Sequence, residues 1–99
     1  MKISFNDYFG RTFSADGFTM TARDAFDTAK NIRTIFVQRT GWFQLPKPIS
    51  MKELNTAYKA LCPNMEMMYP GVIDKMLHPE MIRQLGFVVD NTGMVSYKP

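Results

Sequence analysis

The chain has 99 residues, enough for one domain and not two. Hydrophobic residues make up 45% of it and charged residues 21%, a balance that supports one core and excludes a disordered chain. No apolar run approaches the roughly 18–20 residues that span a bilayer. The opening Met-Lys-Ile-Ser-Phe-Asn-Asp lacks the apolar stretch of a signal peptide, and the single Cys62 excludes an internal disulfide, so a cytoplasmic protein is predicted. The net charge of +3 hides a local imbalance. Between residues 30 and 59, six cations (Lys30, Arg33, Arg39, Lys47, Lys52 and Lys59) face one acid, Glu53, a surplus of +5. The stretches on either side each carry one more acid than base. A basic segment of this kind is the footprint of a polyanion or an acidic partner, or else the solvated face of two helices.

Residues 1–20 read as extended or irregular, because Phe5, Tyr8, Phe9, Phe13 and Phe18 show no helical period and Gly10 and Gly17 interrupt them. Ser14-Ala15-Asp16-Gly17 has turn chemistry, which predicts a small hairpin over about 10–20 with Phe13 and Phe18 facing across it. A first helix is predicted over 22–40, capped by Thr21 with Asp24 three residues on. Its buried stripe is Ala22, Ala25, Phe26, Ala29, Ile32 and Phe36. Gly41 is the expected stop, Trp42 packs back, and Phe43 to Pro48 reads as a proline-stiffened linker. Ser50 and Glu53 form a capping box for a second helix, flanked by the apolar staple Ile49 and Leu54. Leu54, Ala57, Tyr58 and Leu61 are its buried face, and Cys62-Pro63 ends it.

Six of the nine methionines lie between Met51 and Met81. Most read as core filling; the run Asn64-Met65-Glu66-Met67-Met68-Tyr69 is the exception, since Pro63 and Pro70 leave no room for a long helix to bury it. Beyond this connector, Pro70-Gly71 opens a third helical region through Val72, Ile73, Met76 and Leu77. His78-Pro79 breaks or restarts it before Met81, Ile82 and Leu85. Phe87-Val88-Val89 and Met94-Val95-Ser96-Tyr97 are strand-prone, with Asp90-Asn91-Thr92-Gly93 as the turn.

Three helices, the junction Ile82-Arg83-Gln84-Leu85-Gly86-Phe87-Val88 and a short hairpin resemble the winged helix-turn-helix superfamily over residues 50–98. The resemblance implies an α+β fold: a three-helix core with a C-terminal hairpin as the wing, preceded by the small N-terminal aromatic-rich hairpin. One domain, 1–99, then divides into an extended segment over 1–20 and a winged-helix-like core over 21–98. Two features depart from the pattern. The connector at 62–70 is longer than a tight turn, and the third helix is poor in groups that read base edges, since Asp74 and Glu80 offset Lys75 and Arg83.

Signatures of catalysis are absent: no glycine-rich phosphate loop, no zinc-type Cys/His set, and no paired carboxylates. Cys62 and His78 read instead as a small apolar helix end and a polar residue before a helix start. The sequence therefore predicts a small non-enzymatic binding protein with no cofactor and no metal. In one reading, Lys30, Arg33, Lys47, Lys52, Asn55, Thr56 and Lys59 grip a DNA or RNA backbone with little base readout. In a second, the same basic face steers an acidic protein, and Met65, Met67, Met68 and Tyr69 anchor it. That reading fits a phage-like or mobile-element accessory protein acting as inhibitor or regulator of a host protein complex. A structural subunit of a larger assembly is the third.

Overall fold

The computed structural model describes residues 3–40 and 47–97. Their fold is α+β, with five helices and two small antiparallel sheets among the described residues. A 3₁₀ turn at Phe5–Asp7 leads into β1 (Phe13–Ala15) and β2 (Phe18–Met20). The hairpin loop is Asp16-Gly17, with φ of 51° and 79°. Both residues are left-handed, as a two-residue loop requires when it follows the twist of its strands. This register pairs Phe13 with Met20 and Ala15 with Phe18, so the predicted face-to-face placing of Phe13 and Phe18 is corrected. The tight loop spans only two residues, and that moves each partner by two positions.

Helix α1 runs Ala22–Thr40, as its periodicity predicts, and the Thr21 hydroxyl caps it by accepting from the Asp24 amide at 3.1 Å. Ala25, Ala29, Ile32, Ile35 and Phe36 are buried along it. The predicted stop at Gly41-Trp42 and the linker residues 43–46 lie outside the described residues. Strand β3 (Ile49–Ser50) is an addition that local sequence did not signal. It pairs with β5 (Met94–Ser96), which also pairs with β4 (Val88–Val89), giving the order β3-β5-β4. The registers align Ile49, Val95 and Val89 in one row, all buried.

Helix α2 spans Met51–Leu61, and the Ser50 hydroxyl accepts from the Glu53 amide at 3.1 Å. The reciprocal half of the capping box is not made, because the Glu53 carboxylate pairs with Arg39 at 2.5 Å instead. Ile49 and Leu54 are both fully buried, as the staple predicts. The methionine-rich stretch is not a connector but a short helix, α3 (Pro63–Met68), which corrects the sequence reading. Pro63 suits its first turn, where no amide donor is needed. Gly71, at φ 83°, turns the chain into α4 (Val72–Met76), and Glu66 Oε1 braces that turn by accepting from the Gly71 amide at 3.3 Å.

His78-Pro79 divides the third helical region in two. His78 Nδ1 accepts from the Glu80 amide at 3.1 Å and so caps α5 (Pro79–Gln84). Gly86, at φ 105°, closes α5: its amide reaches the Arg83 carbonyl, and the Phe87 amide reaches the Ile82 carbonyl. These are the two bonds of a Schellman ending. The N-terminal segment satisfies the last carbonyls of this helix, with Tyr8 Oη donating to Leu85 O at 2.9 Å and Arg11 to Gln84 O at 3.1 Å. Beyond it, Phe87 stacks on Phe36 with ring centres 6.2 Å apart, and Tyr97 meets both rings edge-on.

Candidate functional site

The basic stretch forms two separate groups. On α2, Lys52, Asn55, Thr56 and Lys59 follow a spacing of three and four and share one stripe. Asp74 of α4 stands against that stripe: its carboxylate accepts from Asn55 Nδ2 at 2.7 Å and pairs with Lys59 Nζ at 3.3 Å. The Asn55 hydrogen bond, with that of Lys59, holds the Asp74 carboxyl below its ordinary value. Two of the four predicted α2 contacts are therefore engaged within the molecule, while Lys52 and Thr56 remain exposed, as does Lys47 ahead of β3.

The α1 cations do not join this stripe. Asn31 faces α2, donating to Tyr58 Oη at 3.0 Å. With about 3.6 residues per turn, Lys30 lies about 100° and Arg33 about 200° around the helix from Asn31. Lys30 Nζ sits 5.0 Å from the centre of the Phe26 ring, on the side of the N-terminal aromatic cluster. Arg33 lies near Tyr97, whose pKa is raised by burial and partly lowered by that guanidinium. Arg39 is held by Glu53. The basic surplus thus wraps around α1 and α2 instead of converging on one face.

The methionine-rich segment does converge. Helix α3 presents Met67, Met68 and Tyr69, which are 79%, 68% and 60% exposed, an unusual concentration of large apolar groups in water for three consecutive residues. Met65, on the same side of the helix as Met68 and Tyr69 and opposite Met67, is half-buried and packs on the core. Beside this ridge opens a groove of about 560 Å³. Phe18 and Met20 of β2 form one wall, and Met65, Met68 and Tyr69 form the other. Val72 and Met76 of α4 extend it, and Thr28, Asn31 and Tyr58 contribute its polar floor. Asp24 and Asp27, both exposed, lie along its α1 side. Met67 lies outside the groove lining, on the outer side of the same ridge.

No protein-family model matches the chain, and neither a curated protein nor a solved structure matches it. The site is therefore assigned from its own chemistry.

Sequence reasoning found the apolar side of the groove and missed the α1 side. Asp24, Asp27, Thr28 and Asn31 recur at helical spacing, so a polar stripe beside the buried one was visible, but Asp24 read as the partner of the Thr21 cap. Tyr58 read as core, and it is; burial raises its pKa, although its hydroxyl still accepts from Asn31. Cys62 ends α2 half-buried, and burial pushes its thiol up, which disfavours the nucleophilic thiolate. Among the described residues no cluster of three or more His, Cys, Asp or Glu could hold a metal ion, and no helix is long and apolar enough to cross a membrane.

Proposed function

We propose that this chain is a protein-binding module of winged-helix-like build whose contact surface is the α3 ridge and the groove beside it. One observation carries the reading: Met67, Met68 and Tyr69 stand exposed in sequence, at the lip of an open apolar groove. Exposing three large apolar side chains costs solubility unless a partner covers them, and methionine side chains adapt to the surface they meet. The winged-helix-like part rests on α5 running through Leu85-Gly86-Phe87 into a hairpin, extended by β3 into a three-stranded sheet. Action as an accessory regulator of a larger protein complex fits this surface.

The test is affinity purification of the full chain from its native host, with nuclease and high salt, beside a Met67→Asp/Met68→Asp variant. The expected result is a protein that survives both treatments and is lost with the variant. A partner recovered equally by both forms overturns the reading.

The exposed Lys52 and Thr56, with Lys47 nearby in sequence, favour backbone contact with nucleic acid as a second reading. If Lys47 and Lys52 each neutralise one phosphate, log K falls against log salt with a slope of roughly −2. A gel shift with mixed DNA and RNA at low salt, repeated with Lys52→Glu, decides it: no shift removes this reading.

A further inference from the structure

The groove has an electrical asymmetry that narrows its occupant. Its charged lining groups are Asp24 and Asp27, with no Lys or Arg among them. Asp27 has one ion pair, 3.4 Å to Arg23, with both partners largely exposed. The Asp24 carboxylate makes no ion pair among the described residues; the contacts of Asp24 are made by its backbone, to Thr21 and Thr28. Apart from these acids the lining carries no charge, with Met20 of β2 on one wall and Met65 and Met68 on the other. At about 560 Å³ the space lies within the roughly 300–1,000 Å³ of ordinary ligand clefts, enough for one or two large side chains.

These properties sort the candidates. A nucleic acid or an anionic membrane surface would bring negative charge against two carboxylates. An uncharged apolar ligand would fill the apolar lining and leave Asp24 without a counter-charge and Asp27 with only its exposed pair to Arg23. A peptide that places a cation next to an apolar side chain satisfies both sides. We propose that the groove docks a segment of a partner protein in which a large apolar residue neighbours a lysine or arginine. The apolar side chain seats against Met20, Met65 and Met68, and the cation reaches Asp24 and Asp27. The inference rests on the protein-binding reading and adds the chemistry of the partner.

The test is selection of random dodecapeptides displayed against the immobilised full chain, followed by calorimetric titration of the selected peptides. The expected sequences are enriched in Lys or Arg within two positions of Leu, Ile, Phe or Met. Asp24→Asn/Asp27→Asn should weaken their binding roughly fivefold, the effect of losing two exposed ion pairs, with a matching loss of salt dependence. Replacing the basic residue of the peptide by glutamine should give a similar loss on the unaltered protein, which separates recognition from any effect of the variant on folding. If the selected peptides are apolar without a cation, or the double variant binds them equally, the inference is overturned. The protein-binding reading then still stands if Met67→Asp/Met68→Asp abolishes binding. If no peptide is selected and the chain shifts nucleic acid instead, both fall. Concentration-dependent self-association lost with Asp24→Asn/Asp27→Asn would make the occupant a second copy and also overturn the partner-segment inference.

Discussion

Tyr8 shows how one side chain joins distant parts of this chain. Its ring packs against Phe13 and Phe26, and its hydroxyl reaches Leu85 O at 2.9 Å, 77 positions away. Burial first, and the neighbouring Asp7 second, raise its pKa above the ordinary 10.0; burial does the same to Tyr58 and Tyr97. The folded chain therefore keeps protons that the unfolded chain releases above that value. The contribution of these tyrosines to stability is fully present below pH 10.0 and is lost as pH rises through their raised values in the folded state. Tyr8→Phe should cost about 1 kcal/mol at neutral pH, from the lost hydrogen bond, and should make the alkaline decline shallower. Urea unfolding at a series of pH values measures both; an unchanged alkaline slope would remove Tyr8 from the account.

At the scale of elements, local signals and distant partners divide what could be read from sequence. Helices α1 and α2 were legible because Thr21 and Ser50 cap them and their apolar stripes repeat at helical spacing, information contained within each segment. Strand β3 was not, because two residues become a strand only through their pairing with β5, more than forty positions later. Helix α3 was hidden by Pro63 and Pro70, which mark the ends of a segment without saying whether a turn and a half of helix fits between them. The apolar half of the groove was therefore readable as a candidate, whereas its meeting with Asp24 and Asp27 depends on how α3 and α4 fold back toward α1 and β2. Helix α2 allows a direct check of which half of its start signal acts. Ser50→Ala should lower stability by about 1 kcal/mol. Glu53→Gln, which weakens only the exposed pair with Arg39, should cost no more than about 0.5 kcal/mol. Equal losses on thermal or urea unfolding would restore the reciprocal capping box.

On the scale of the whole molecule, the radius of gyration of 12.8 Å matches the roughly 13 Å of a close-packed domain of this length. The end of α5 is where its two sheets are joined. Arg83 donates to Val89 O of β4, at 3.1 Å from one guanidinium nitrogen. Its neighbour Gln84 exchanges two hydrogen bonds with the backbone of Ser14, 3.1 Å from the Ser14 amide and 2.6 Å to its carbonyl, and so occupies the outer edge of β1 as a further strand would. This arrangement sets an order of events during synthesis. Residues 3–20 can meet α1 early, through Phe5 and Tyr8 on Phe26, but the hydrogen bonds of Tyr8, Arg11 and Ser14 all wait for residues 84 and 85. On ribosome-arrested chains of increasing length, protease should cut the segment before Met20 until α5 has emerged, and spare it afterwards. Protection before α5 emerges would refute that order. The N-terminal hairpin is thus sealed only by residues made 70 to 77 positions after its own, an interval in which a chaperone can hold its aromatic side chains.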